Sequence, residues 1–421
     1  LTPSPGLEPY DINLPFWSDH AIKTRWFGHP ELAPTFGWSQ DAPWSQPTGA
    51  IWVKHFELET ERGNPGSRWR IETRVLVKTT DGSYGVSYRW NEAGTAATLA
   101  DAAGETFDLA ITADSNPGTQ RWRIPSHAEC LLCHAPQAGH ALSFNTRQLN
   151  IPGVLGGTSG NFLSLLASSG YLTSLTDDPA TLPRHVAPHE TDYALEARAR
   201  SWLDVNCSYC HSDTGTDPAA WDARAELALF DTGLINGMPE GSLLDPDDRL
   251  IVPGEEHHSL IVHRAAARNG YTRMPPLASF ETDEAAIQLL IDWIEAELPS
   301  RQSYGQWRES HFGTSPDGAP ERDPDLDGRT NSQEFLTLSD PNTHDLPPTL
   351  ALSPAGNTLT LTSPDLPGRS VLLESSTNLT DWNPWPANGN DGLVRPPNQP
   401  ATFTTTIDDF QRFFRARIEE R

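Results

Sequence analysis

Cys130-Leu131-Leu132-Cys133-His134 and Cys207-Ser208-Tyr209-Cys210-His211 decide how this chain is read. Together they hold all 4 cysteines of its 421 residues. Each is a C-x-x-C-H, the attachment pattern of c-type haem. Two thiols one helical turn apart can add to the two vinyl groups of one porphyrin, and the adjacent His then ligates the iron. Other chemistries also use paired cysteines. A zinc site made of two thiolate pairs does not need a His after each pair. A thioredoxin-like motif usually occurs once, in a βαβ setting. Two structural disulfides of a secreted protein would not require the His either. The sequence therefore predicts two covalently bound haem c groups on Cys130, Cys133, Cys207 and Cys210. His134 and His211 are their proximal ligands.

Around the second motif the pattern is fuller. Ala194, Ala197, Trp202 and Val205 give a partial apolar face to a helix over 192–206 that runs into Cys207. Further on comes Arg273-Met274-Pro275-Pro276-Leu277. A Met in a proline-fixed loop can offer its thioether to haem iron, so Met274 is the expected distal ligand of the second haem. A helix over 282–298 follows, with Ile287, Leu290, Ile291, Ile294 and Leu298 at helical spacing and Thr282 as its N-cap. Helix, C-x-x-C-H, Met-Pro loop, helix is the layout of a class I cytochrome c. The first haem has no second Met-Pro-Pro. Met238, which precedes Pro239, is one candidate for its sixth ligand. Histidines 20, 55, 127, 140, 185, 189, 257, 258 and 263 are others, with His140 nearest in sequence beyond the motif. A vacant sixth position would open peroxidase chemistry.

The charge balance excludes other classes. There are 30 Lys+Arg against 56 Asp+Glu, for a net charge of −26. A nucleic-acid binder concentrates positive charge, so none is expected here. No apolar run is long enough for a transmembrane helix. With 37 Pro residues, long ordered loops are expected. The chain starts at Leu1 rather than Met, which fits removal of a secretory signal.

The expected fold is a multidomain α+β protein in four parts. Residues 1–122 form a β-rich domain, with strand-like patterns over 51–56, 69–77 and 84–90 and abundant Trp, including Trp26, Trp38, Trp44, Trp52, Trp69 and Trp90. Residues 123–300 are a mostly α-helical, class I cytochrome c-like di-haem region. Residues 301–349 are a linker carrying a calcium loop. In it, Asp323, Asp325, Asp327, Asn331 and Glu334 stand at positions 1, 3, 5, 9 and 12 of a 12-residue loop, Gly328 permits the turn, and Arg329 offers its carbonyl. Residues 350–421 form a small C-terminal β-sandwich that ends in Phe410-Gln411-Arg412-Phe413-Phe414.

Short motifs add a resemblance. Pro9-Tyr10-Asp11-Ile12-Asn13, Trp17-Ser18-Asp19, Tyr84-Gly85-Val86-Ser87-Tyr88-Arg89-Trp90-Asn91 and Ile124-Pro125-Ser126 stand in order. Gln148-Leu149-Asn150, Val205-Asn206-Cys207 and Met274-Pro275-Pro276 continue the series. In these, 9–294 resembles a family of bacterial di-haem c-type cytochromes. The resemblance implies a secreted or periplasmic electron-transfer protein and supplies no substrate. The segment from Asp323 to Pro341 resembles calcium-binding connectors of secreted bacterial multidomain proteins, and the C-terminal part resembles their terminal domains. The expected function is single-electron transfer between redox partners, steered towards cationic surfaces. Alternatives are a peroxidase-like enzyme with an open first iron and a subunit of an extracellular filament or array.

Overall fold

The computed structural model describes residues 2–29, 35–113, 116–173, 175–213, 215, 221–240, 245–267, 272–277, 280–406 and 412–421. Its N-terminal part is a six-stranded sheet in sequence order: Glu8–Pro9, Ile22–Gly28, Ile51–Glu59, Arg68–Lys78, Ser83–Trp90 and Ala97–Leu99. Every pairing is antiparallel. Successive side chains of a strand face opposite ways, so Trp52, Lys54, Phe56 and Leu58 share one side of Ile51–Glu59. That side has two cores. Phe27, Trp52 and Leu76 pack on Phe36, Phe144 and Phe162. Phe56, Leu58 and Ile71 pack on Leu109, Trp122 and Ile124 of the hairpin Glu105–Ala113 with Asn116–Ile124. The sheet thus holds the haem-motif region at one end and the hairpin leading into it at the other.

The region over 123–300 corrects the sequence expectation. It is not mostly α-helical, and the molecule is β-rich with several separate sheets. Its helices are short: His127–Cys133, Thr146–Leu149, Phe162–Ser168, Leu195–Cys207, Leu260–Ala266 and Glu284–Asp292. Between them lie a two-stranded hairpin, Pro152–Leu155 with Thr158–Asn161, and a parallel pairing of Leu172–Thr173 with Phe36–Gly37. The physical cause is punctuation. Prolines 179, 183, 188, 239, 246 and 253 remove backbone donors and bar helix interiors, so much of the segment runs as irregular chain held by side-chain bonds. Asn150 shows how: its Nδ2 donates to the carbonyls of Pro179 and Leu182, each at 2.9 Å. The last helix also differs in detail. Asp283, not Thr282, caps it, and beyond Asp292 it widens into a π turn over Trp293–Glu297.

At the C-terminus two three-stranded sheets face each other. Ala351–Ala355, Thr358–Thr362 and Thr402–Thr406 form one; Asn383–Pro384, Arg369–Ser376 and Phe413–Glu420 form the other. Leu361 and Phe403 from the first meet Val371 and Leu373 from the second in a shared core. Phe410 and Gln411, part of the expected ending, lie outside the described residues. Among the described residues no helix is long and apolar enough to cross a membrane.

Arg301 joins the last two parts. Its guanidinium pairs with the buried Glu196 at 3.0 Å and donates to the carbonyls of Gly368 and Arg421, both at 2.7 Å. A Cβ on Gly368 would overlap the Arg301 guanidinium, so the glycine is required by the approach of this side chain. Removing one partner of a buried pair leaves the other charge uncompensated and costs about 3–5 kcal/mol. Arg301→Met should lower the urea-unfolding free energy by about 3 kcal/mol. A loss below about 0.5 kcal/mol, the size of an ordinary surface substitution, would remove this junction from the stability argument.

Candidate haem-attachment site

The first motif sits on a helix fixed at both ends. Ser126 Oγ accepts the Glu129 N–H at 3.1 Å, and the Glu129 carboxylate accepts the Ser126 N–H at 2.6 Å. This capping box starts His127–Cys133 directly after the hairpin strand, and Arg123 anchors it by pairing with Glu129 at 2.7 Å. The helix closes with the His134 N–H on the Cys130 carbonyl at 2.9 Å. The His134 ring then turns so that Nδ1 meets the carbonyl oxygen of His140. A carbonyl accepts only, so Nδ1 carries the proton and Nε2 keeps its lone pair. That is the tautomer an iron ligand needs, held by a backbone acceptor. Burial, with Lys54 nearby, pushes the imidazolium down to about 4, so the ring is neutral at ordinary pH.

Cys130 and His134 line a small cavity of about 70 Å³ between this helix and the sheet. Tyr10, Trp52, Val53, Val75, Leu76, Val86, Ala141 and Leu142 give it a largely apolar wall, and Lys54 and Arg74 add positive charge. One thiol of the motif, the imidazole with its Nε2 lone pair, apolar walls and two cations are the kinds of group that a covalently held porphyrin with two carboxylates would meet.

The second motif ends a longer helix. Leu195–Cys207 buries Ala199, Trp202, Leu203 and Val205 against Ala286, Leu289, Leu290 and Trp293. Trp202 Nε1 donates to Asp283 at 3.0 Å, and Asn206 Oδ1 accepts the Trp17 N–H at 2.9 Å. Cys207 packs against this core, where burial pushes its thiol up to about 12. His211 stacks on Trp221, with ring centroids 4.6 Å apart and planes at 19°. The Met274 N–H bonds the Arg264 carbonyl at 3.0 Å. It therefore hangs from Leu260–Ala266, whose Leu260 and Val262 are buried, Val262 in the same core as Trp202. One core thus positions Cys207 and the Met274 loop. Met238 is 57 % exposed, on a turn beside Leu250 of that same core, and is not among the residues lining the first cavity.

The two motifs meet. The Cys133 thiol lies within hydrogen-bond reach of the Cys210 thiol, which together with burial raises the Cys133 thiol's resistance to ionisation. Tyr209 Oη donates to the Leu142 carbonyl at 3.0 Å, pinning the second motif to the chain just past the first. No disulfide links any of the 4 cysteines, and they do not gather around one point. Among the described residues, donor groups of three or more within 4.8 Å are Glu255, His257, His258 and Asp323, Asp325, Asp327, neither of which includes a cysteine. The geometry therefore gives a zinc site of four thiolates no centre.

Other histidines have local partners. His140 Nδ1 faces Ser83 Oγ at 3.1 Å while its carbonyl holds His134. His55 Nδ1 faces Thr73 Oγ1 at 2.8 Å, and His20 packs edge-on to Trp17. His185 is buried 3.6 Å from Asp204, in a separate cavity of about 100 Å³ that Tyr209 also lines.

In the linker the three aspartates converge, and Glu334 comes to them from Asn331–Thr337, a helix capped by Thr330. Glu334 is 0 % exposed, and neither of its oxygens accepts a hydrogen bond. Burial beside Asp325 pushes its carboxyl up to about 7. Asp323 Oδ1 and Asp325 Oδ2 are likewise buried without a donor. Such a set of desolvated oxygens suits a hard divalent cation. The Arg329 side chain pairs with Asp327 at 2.6 Å and with Asp345. Asn331 Nδ2 turns to the carbonyls of Asp317 and Ala319, at 2.7 and 2.8 Å, and so holds the loop that precedes the site.

The chain matches no protein-family model, no curated protein and no solved structure. Lys54 and Arg74 line the site without being singled out in the sequence, and Tyr10 lines it having stood there only as part of a short motif. A signal was present: Lys54 and Arg74 occupy strand positions in phase with Trp52 and Leu76, where an apolar residue would be ordinary. Tyr209→Phe should cost about 1 kcal/mol by leaving the Leu142 carbonyl without its donor. Equal urea midpoints and slopes for the two proteins would show that this bond does not tie the motifs together.

Proposed function

We propose that this chain is a di-haem c-type cytochrome that passes single electrons between redox partners outside the cytoplasm. The observation that carries the reading is the meeting of the two C-x-x-C-H motifs at Cys133 and Cys210. The thiols of Cys130 and Cys133 would hold one porphyrin, and those of Cys207 and Cys210 the other. Haem supplies an iron that accepts and returns one electron. The chain's residues do the rest. His134 and His211 ligate, the His140 carbonyl holds the His134 proton, and the apolar cavity wall keeps water away. Because Cys133 and Cys210 touch, the two bound groups would be joined at neighbouring sulfurs, a short route for an electron. Unequal sixth ligands, Met274 at the second iron and none of that kind at the first, would set different potentials and a direction of flow. The net charge of −26 favours partners with cationic surfaces.

The pyridine haemochrome of the purified chain should give two haems per polypeptide. Cys130→Ala/Cys133→Ala and Cys207→Ala/Cys210→Ala should each keep one. A chain that binds zinc and no haem overturns the proposal. Met274→Ala should abolish the sulfur-to-iron charge-transfer band of the ferric protein, and an unchanged band would remove Met274 from the second iron.

A second reading, a peroxidase-like enzyme, has one observation of its own. Among the described residues lining the first cavity there is no Met and no His besides His134. It requires a high-spin ferric component that shifts when cyanide is added. Two low-spin haems would dismiss it.

The same proposal extends to the linker, where Asp323, Asp325, Asp327, Asn331 and Glu334 would bind calcium with the Arg329 carbonyl; the Asn331 Oδ1 is buried without a donor, while its Nδ2 braces the loop. Binding the folded form would stabilise it. Chelation should speed proteolysis between Gly318 and Pro341, and Glu334→Ala should abolish the difference. Cleavage indifferent to chelator would overturn the calcium assignment.

A further inference from the structure

Three adjacent strands set basic side chains directly opposite one another. Arg25 of Ile22–Gly28 pairs in register with Lys54 of Ile51–Glu59, and Lys54 with Arg74 of Arg68–Lys78. Lys23, two residues before Arg25, faces the same way. Like charges placed opposite one another destabilise a sheet. Here Arg25 also lies inside the molecule, and Lys54 and Arg74 are half-buried. Arg25 is 5 % exposed, and its Nε is buried without a hydrogen-bond partner. The Glu72 carboxylate answers one of these charges, pairing with Arg74 at 2.5 Å. Burial first, and then the neighbouring Arg25 and Arg74, push the Lys54 ammonium down to about 7.

The row borders the first cavity. Lys54 and Arg74 line it together with Cys130 and His134. Tyr10 lines it too, and the Tyr10 N–H bonds the Arg25 carbonyl at 3.2 Å. Buried charge persists where an opposite charge and hydrogen bonds meet it. A haem c brings two carboxylates, on the side of the ring away from its thioether bonds.

We propose that Arg25, Lys54 and Arg74 form a carboxylate site that receives the propionates of the first haem. The inference rests on the haem reading above and goes beyond it by fixing which way that haem faces. A carboxylate or oxyanion arriving from solution has the same chemistry, so the test separates the two sources.

The holoprotein is titrated spectro-electrochemically, with the second haem identified as the step displaced in Met274→Ala. In Lys54→Met the potential of the first haem should fall, because a cation beside its carboxylates has been removed. The second should stay in place, and Lys54→Arg should restore the first. Resonance Raman spectra of the unaltered holoprotein give a measurement that needs no variant. One haem should show propionate bending bands displaced from those of solvated carboxylates. Two haems per chain with solvated bands on both, or a first potential indifferent to Lys54→Met, overturn this inference alone. A spectral shift on adding nitrite to the unaltered protein, lost in Lys54→Met, assigns the row to a free anion and also overturns it. Fewer than two haems overturns both this inference and the reading beneath it.

Discussion

The hydrogen bond from Tyr209 to the Leu142 carbonyl, beside the touching thiols of Cys133 and Cys210, joins two assemblies built in different ways. On one side a twisted antiparallel sheet supplies a wall, and a short capped helix lays the first motif against it. On the other, Leu195–Cys207 and Glu284–Asp292 pack around Trp202 and Trp293, and the first of them ends at the second motif. Each assembly has its own core, and the cores share no residue. The relative placement of the two motifs therefore depends on a few contacts between them. Trp17 reinforces these contacts, since it leaves the N-terminal part to bond Asn206 and the Glu281 carbonyl.

That division explains what the sequence could and could not reveal. The two C-x-x-C-H patterns can be picked out because they are local: a thiol pair one turn apart and an adjacent His need no knowledge of the rest. The convergence of Asp323, Asp325 and Asp327 follows from their spacing for the same reason. The helical character of the region over 123–300 was misjudged because two good helical patterns, near 195 and 284, were extended to the chain between them. The prolines of that interval argued otherwise. They leave a segment whose backbone is satisfied by side chains such as Asn150, which bonds the carbonyls of Pro179 and Leu182. Such bonds, like those of Gln148 to Leu14 across 134 residues, have no periodicity to detect.

His140 illustrates a different limit. As a histidine near the first motif it stood as a ligand candidate. In the fold its backbone carbonyl holds the His134 ring, a role any residue type could fill. A sequence shows side chains, whereas this contact is made by the main chain in a turn where His140 itself takes a positive φ of 63°. The cationic row is the converse case. Its residues are conspicuous, but their alignment depends on strand register, and register is set by the pairing of distant segments.

The distribution of charge follows from these placements. The chain is strongly acidic as a whole, yet the interior beside the first motif is basic. An acidic exterior lowers the energy of buried cations only weakly, because solvent screens it over about 10 Å. The compensation must be local, and Glu72 provides it for one residue of the row. A sheet that sets Arg25, Lys54 and Arg74 abreast is poorly matched to an empty interior and well matched to one holding carboxylates. Were the motifs to carry haem, folding and cofactor attachment would be linked: the thiols would fix where the porphyrin is bonded, and the row would meet its carboxylates. The sheet would then belong to the binding surface as much as the motifs do, although its cysteine-free sequence carries no haem signature.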